Sequence, residues 1–394
     1  MHKMTLRTVP ALLLAAFSGA ASAAAFQLWE QNASGLGTAY AGSAAVADNA
    51  STNFFNPAGL TQLSGVQISV GVAGVGPSYQ FRNEGSSHGS NDGGNAGGWA
   101  AVPNAHVSAR IAPDWTLGFS VSAPFGLATE YRDGWNGHTQ SLKSEIKTVN
   151  YNPSVAYKVN EKVSLGFGIN YQTIDGELTN SLSSLKGDDA SWGWNAGALF
   201  NLSPAMRVGV SYRSAVKHTL EGNLTTGAGT TPVKADVKFP DTFVLSVWQQ
   251  VSDRWEAMGD LSYTRWESMQ ALNVISRNSG AQVASENFNY GNSWRLAWGA
   301  AYKASDAVKY KFGIAYDRTP VQDGDRSARV PDNDRVWLSL GGQWNMGRSG
   351  KIDVGYAYLY VKDPSIDQTK NGATLRGHYD ASAHIVGVQY SVGF

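Results

Sequence analysis

Along residues 386–394 the even positions Val386, Val388, Tyr390, Val392 and Phe394 are apolar or aromatic, while Gly387, Gln389, Ser391 and Gly393 between them are small or polar. Residues 162–173 repeat the pattern, with Val163, Leu165, Phe167, Ile169 and Tyr171 set against Ser164, Gly166, Gly168, Asn170 and Gln172. So do residues 351–362, where Ile352, Val354, Tyr356, Tyr358 and Tyr360 share a face. Successive side chains of a β-strand point to opposite faces, so a period of two makes one apolar and one polar surface. A soluble sandwich also alternates. Its strands average about five or six residues, however, and many segments here reach the roughly 9–11 that a tilted strand needs to cross a hydrocarbon layer. Trp115, Tyr157, Tyr171, Trp255, Trp298 and Trp344 stand near the ends of the apolar faces, where a membrane barrel carries its aromatic girdles.

Counted in this way the chain holds fourteen strands, approximately 66–82, 99–111, 114–130, 146–158, 161–178, 190–201, 205–218, 236–250, 253–270, 287–303, 306–319, 334–346, 349–362 and 379–394. Short turns such as Pro113-Asp114, Ser203-Pro204 and Ser252-Asp253 alternate with long connections at 85–98, 132–144, 179–190, 221–235, 273–287, 320–333 and 363–378. Short periplasmic turns, long outer loops and an even strand count are the marks of a bacterial outer-membrane barrel, with Phe394 as its aromatic terminus. Mean hydropathy is only −0.26, which suits a barrel because every second residue avoids lipid. With 31 basic and 31 acidic side chains there is no field to draw nucleic acid, and without cysteine there are no disulfides or thiolate sites.

The N-terminus supplies the address. Lys3 and Arg7 precede an apolar run from Val9 to Phe17, and Ala21-Ser22-Ala23 offers small residues for a signal peptidase. Residues 1–23 therefore read as a signal peptide, 24–65 as an N-terminal hatch and 66–394 as the barrel. The hatch assignment rests on the Ala, Gly, Ser and Asn content of 24–65, since small residues fit a narrow lumen where bulky ones do not.

The string Phe26-Gln27-Leu28-Trp29-Glu30-Gln31-Asn32-Ala33-Ser34-Gly35-Leu36-Gly37, followed by Asn56-Pro57-Ala58-Gly59, resembles the plug of the FadL/TodX family of outer-membrane fatty-acid and hydrocarbon transporters. The likeness continues in Gly126-Leu127-Ala128-Thr129-Glu130-Tyr131, in Trp192-Gly193-Trp194-Asn195 and in Pro331-Asp332-Asn333-Asp334-Arg335. It implies an all-β fold, a fourteen-stranded antiparallel transmembrane barrel with its hatch inside the lumen. It also implies passive uptake of a hydrophobic small molecule such as a fatty acid, with sideways release. The partners expected are that ligand, outer-membrane lipid and lipopolysaccharide; the chain is expected to work as a monomer without cofactor or metal. An aromatic-hydrocarbon channel of the same family and a general diffusion porin stand as alternatives.

By the same likeness Asn56, Pro57 and Ala58 form the hatch motif tied to transport; a plain Asn-Pro turn is the simpler reading. The family's fatty-acid members hold the carboxylate with basic side chains, and Arg213, Arg295, Lys311 and Arg335, all expected to point inward, are the candidates here. Most lumen cations should instead neutralise inward carboxylates such as Glu256, Asp260, Asp317 and Asp353. The expected exit is Pro124-Phe125-Gly126. Proline has no N–H for a neighbouring strand and glycine marks bulges, so the ladder should weaken there and something must fill the gap. Alternation resumes at Phe125 and Leu127, which leaves open an unkinked strand lacking one bond.

Other chemistry is weak. Ser382 and His384 share a strand face but lie about 7 Å apart at Cβ, long for a nucleophile and its base. Asp323-Gly324-Asp325 and Asp332-Asn333-Asp334 are possible calcium loops, though solvated loop charge explains them as well.

Overall fold

A computed structural model describes residues 25–394. The expected signal peptide, 1–23, lies outside the described residues. Fourteen antiparallel strands form one closed sheet. They are β1 (Val66–Asn83), β2 (Ala100–Ala112), β3 (Trp115–Ser122, resumed at Gly126–Glu130), β4 (Lys143–Lys158), β5 (Val163–Thr179), β6 (Ser183–Ser203) and β7 (Met206–Arg213, resumed at Val216–Thr226). There follow β8 (Gly229–Phe239 and Thr242–Gln250), β9 (Trp255–Thr264 and Ala271–Ser276), β10 (Gln282–Asn287 and Ser293–Lys303), β11 (Val308–Asp317), β12 (Arg335–Asn345), β13 (Lys351–Val361 and Ser365–Lys370) and β14 (Ala373–Gly393). β14 pairs with β1 from Gln67↔Gly393 to Asn83↔Gly377, which closes the barrel. Both strand ends meet at one rim, where Val66 and Phe394 exchange backbone hydrogen bonds.

The alternation faces as its chemistry requires. Leu117, Phe119, Phe167, Ile169, Leu338 and Leu340 are exposed on the outer surface, and Ser120, Ser154, Ser164, Asn170 and Ser339 are buried within.

Four of the expected long connections are strand instead. Residues 179–190 are the crest of the β5–β6 hairpin, turning at 180–182, and 221–235 close the β7–β8 hairpin around 227–228. The connections at 273–287 and 363–378 are hairpins likewise. Above the membrane no lipid enforces an apolar outer face, so strands continue there without the pattern that marks them below. The connections at 85–98, 132–142 and 320–333 remain largely irregular.

The hatch fills the lumen. Residues 25–65 are almost all buried and turn through short 3₁₀ segments, Leu36–Thr38 and Pro57–Gln62, and one helical turn, Thr52–Phe55. Wall glycines let it approach: a Cβ on Gly197 would collide with Asn56 Oδ1, one on Gly209 with the Ala44 carbonyl, and one on Gly313 with the Thr38 backbone. Polar wall residues then hold it. Asp260 accepts from the Ser43 hydroxyl at 2.7 Å, Lys311 donates to the Ser34 carbonyl at 2.8 Å, and Arg110 donates to the carbonyls of Thr61 and Leu63 at 2.7 and 2.8 Å.

Candidate ligand route

The expected weak point in β3 is a wall break. β2 and β3 pair only up to Ala105↔Val121, so residues 100–104 of β2 have no ladder partner on β3. Toward β4, Ser122 faces Asn150 and Gly126 faces Lys147, so Ala123, Pro124 and Phe125 stand against only Thr148 and Val149. That is a bulge, and it turns the strand inward. The hatch fills the gap. Leu28 N–H donates to the Pro124 carbonyl and Gly126 N–H to the Phe26 carbonyl, both at 2.9 Å, with Gln27 bridging Phe125 in antiparallel fashion. The Gln31 amide donates to the Ala123 carbonyl at 2.7 Å, and Thr148 Oγ1 accepts from Phe125 N–H at 3.0 Å. Backbone groups that would be costly beside lipid are thus satisfied by a piece of hatch acting as a short internal strand.

Two cavities meet at this break. The upper one, of about 750 Å³, lies among the tall outer hairpins. Leu178, Leu185, Leu220, Val233, Val237 and Leu272 supply its apolar wall. Its predominantly apolar lining is that of a small-molecule site. Leu185, Val233 and Ala235 of this lining fall in segments expected as long connections, 179–190 and 221–235. The missed signal was Val233, Ala235, Val237 and Phe239, which alternate with Lys234, Asp236 and Lys238. The lower cavity, of about 670 Å³, is lined by Leu28, Trp29, Pro124 and Phe125 together with Asn170, Arg213 and Ser214. Between them stands an aromatic partition: Phe125 stacks on Phe239 with centroids 4.6 Å apart, and Phe26 meets Trp266 edge-on at 4.8 Å.

Asn56 is buried, with Nδ2 donating to the carbonyls of Ala44 and Ala198 at 2.8 and 3.0 Å while Oδ1 accepts from Ala58 N–H at 3.0 Å. It thereby caps the 3₁₀ segment that Pro57 starts and ties that segment to β6.

The candidate cations are scattered. Lys311 pairs with Asp353 at 2.7 Å, and Arg335 pairs with Asp332. Arg295 is fully buried, sandwiched by Trp29 and Trp337 at 4.8 and 4.9 Å, and donates to the Ala39 carbonyl at 2.7 Å. Arg213 alone of the four borders the lower cavity. At the upper cavity the cations are Lys186, paired with Glu177 at 2.8 Å, and Arg329, 3.6 Å from Glu286. Arg329 also donates to the Gln140 carbonyl at 2.9 Å and the Ser144 hydroxyl at 3.1 Å.

The acidic loop residues are otherwise engaged. Asp323 pairs with Arg326 at 2.8 Å, and Asp332 Oδ2 accepts from Ala25 N–H at 2.7 Å. Among the described residues no group of three or more histidines and carboxylates is arranged to hold a metal. His384 shares a 2.8 Å hydrogen bond with the Tyr356 hydroxyl, not with Ser382.

A closed barrel with a lipid-facing apolar band, a lumen filled by a folded hatch and an apolar cavity above it defines the class of plugged outer-membrane transport barrels. The family model described as "Outer membrane protein transport protein (OMPP1/FadL/TodX)" matches residues 14–394. Outer membrane protein P1 of Haemophilus influenzae is 32% identical over 91% of this chain and 90% of its own length. The long-chain fatty acid transport protein of Salmonella typhi is 30% identical over 93% and 95%. Among solved structures, a Pseudomonas aeruginosa FadL homologue superposes with TM-score 0.90 at 23% identity, covering 94% of this chain and all of that one. The Pseudomonas putida toluene transporter TodX superposes with TM-score 0.71 at 16% identity over 92% and 98%. The chain belongs to the OMPP1/FadL/TodX family of Gram-negative outer-membrane transport proteins, which are not enzymes.

Proposed function

We propose that this barrel takes hydrophobic molecules, long-chain fatty acids or related apolar compounds, from outside the cell into the upper cavity and releases them sideways at the β3 break. It does so as a monomer among outer-membrane lipid and lipopolysaccharide. The observation that carries this reading is the hatch segment bonded into the break. When residues 26–28 withdraw, they open the wall and remove Phe26 from the aromatic partition in a single movement. The Asn56-Pro57-Ala58 cap ties the hatch to β6 through the Ala198 carbonyl. A general porin fits poorly, because the hatch occupies the lumen.

A second reading has one specific support. The upper cavity's cations are already paired, which favours an uncharged ligand there, as an aromatic hydrocarbon would be.

The test is Ala235→Trp, which fills the upper cavity with an indole. Uptake of radiolabelled palmitate and of toluene should fall by about tenfold or more, the scale of one lost apolar contact set. The variant should still shift on gels between unboiled and boiled samples, showing an assembled barrel. Unchanged uptake, or sugar permeability and ion conductance of porin size in the parent, would remove the proposal.

A further inference from the structure

The wall stops pairing beside the break for a reason written in β2. Arg110 N–H donates to the Gly65 carbonyl at 2.9 Å, on the β1 side, so the even residues of β2 bond toward β1 and the odd ones present their N–H and C=O to β3. Ala105↔Val121 is the last pair of the β2–β3 ladder. Two residues further along the same register, Pro103 faces Ala123. Proline has no N–H to give the Ala123 carbonyl, so the ladder cannot take this step from the β2 side.

The hatch gives what the wall withholds. Gln31, which is fully buried, donates from Nε2 to the Ala123 carbonyl at 2.7 Å and to the Leu28 carbonyl at 2.9 Å. Both partners are acceptors, so only the amide nitrogen can face them. From β2, His106 Nε2 donates to the Gln31 backbone carbonyl at 3.0 Å, and its Nδ1 accepts from the Ser120 hydroxyl of β3 at 2.8 Å. One hatch residue is thus bonded to both strands that flank the break, and through Leu28 to the segment that fills it. The neighbouring bonds at Pro124 and Gly126 run from backbone to backbone, whereas at Ala123 a side chain sets the closure.

We propose that Gln31 is the latch of the lateral opening and that Pro103 keeps the latch's seat free. The proposal rests on the release at the β3 break argued above, and adds how that opening is held shut. An N–H at residue 103 would compete with Gln31 for the Ala123 carbonyl and would let the wall zip one pair further, closing the opening without the hatch. With proline there, the carbonyl is left to Gln31. Both are positioning residues that act through the hatch and the wall without touching the ligand. They work in opposite directions: losing the latch loosens the hatch, and losing the proline shuts the wall.

The experiment measures uptake of radiolabelled palmitate by the whole barrel, and hydrogen exchange of peptides covering residues 26–31, in Gln31→Met and in Pro103→Val. Q31M keeps the length of the side chain and removes the donor. Protection at 26–31 should fall by about tenfold, the scale of one buried carbonyl left unpaired, with uptake at or above the parental rate. P103V gives β2 its donor, and uptake should fall by about tenfold. A fall in uptake in both variants would make Gln31 an ordinary packing contact of the hatch and overturn the proposal. So would unchanged protection in Q31M, or parental uptake in P103V. If a variant does not assemble, Gln31→Glu, which sets a carboxylate against the two carbonyls, and Pro103→Ala, which also restores the N–H, must reproduce the same opposite pattern. Parental uptake in an assembled Pro124→Val/Gly126→Ser variant would instead remove the exit itself, a separate result.

Discussion

Glu30 makes the hatch sensitive to pH. Its side chain is 1% exposed, and Oε2 has no hydrogen-bond partner. Burial pushes its carboxyl from the usual 4.5 up to about 7, against the opposing pull of Arg295 and Arg335. A raised acid favours the seated hatch in its protonated form. The stabilisation is therefore full below about 4.5 and is lost as pH rises through about 7. At 1.36 kcal/mol per unit this amounts to roughly 3 kcal/mol, a change on the order of a hundredfold in the balance between seated and unseated hatch. Hydrogen exchange of peptides covering residues 26–62 reads that balance directly, followed from about pH 5 to about pH 9 and corrected for intrinsic chemistry. Protection should fall by about a hundredfold across the range in the parent. In Glu30→Gln, which keeps shape without charge, it should stay at the acid value throughout. The same fall in Glu30→Gln, or a flat profile in the parent, would refute the reasoning.

Replacing Asn56 and Pro57 together with Ala leaves the carbonyls of Ala44 and Ala198 and the Ala58 N–H without their side-chain partner, at about 1–3 kcal/mol each. Uptake of an apolar substrate should drop while the heat-modifiable barrel persists; normal uptake would reduce the motif to turn formation. Pro124→Val with Gly126→Ser restores a ladder donor and crowds Leu28, whose Cδ1 lies 3.1 Å from where a Cβ on Gly126 would stand. Transport at the parental rate in an assembled double variant would exclude lateral exit at β3.

The strands inside the membrane were legible because lipid touches one face only, so Leu117, Phe119, Val386 and Val388 had to alternate. The weak point at Pro124 was legible because a closed barrel has nowhere to hide a missing N–H. Its closure was not: Phe26 and Leu28 meet Pro124 and Gly126 through backbone groups, which leave no trace in side-chain identity. The cations were visible as inward-facing, but their partners were not. Which of them meets a carboxylate depends on register across strands, as when Lys311 and Asp353 meet across β11 to β13 at 2.7 Å.

The reappearance of apolar odd positions at Phe125 and Leu127 has a cause that alternation alone concealed. Leu117 and Phe119 are exposed outside the barrel, yet Phe125 and Leu127 are buried inside it, so the strand has exchanged its faces across Ala123 to Phe125. β8 does the same at Pro240-Asp241, with Phe243 and Leu245 outside below and Val237 and Phe239 inside above. β7 does so at Ser214-Ala215, with Tyr212 turned outward and Val216 and His218 inward. The lower segments of these three strands are 8, 9 and 8 residues long, about the span of the hydrocarbon layer. The switch is a matter of solvent. Below that level lipid lies outside and a polar hatch inside; above it water lies outside and an apolar cavity inside. A strand keeps its parity unless it gains or loses a residue, so a strand whose apolar residues stay on one parity must break near the membrane's outer edge, whereas β5 runs unbroken and changes which parity is apolar, from Phe167 and Ile169 outside to Ile174 and Leu178 at the cavity. Irregularity at this height is thus one way of building an apolar cavity on a membrane barrel, and by itself it says nothing about an exit. What distinguishes β3 is the occupant of its break. At β7, Ser214 Oγ accepts from Trp194 N–H at 2.9 Å within the wall, whereas at β3 a removable segment of hatch supplies the bonds. The case for release at β3 therefore rests on residues 26–28, and mutations there should matter more to transport than any that merely straighten another strand's bulge.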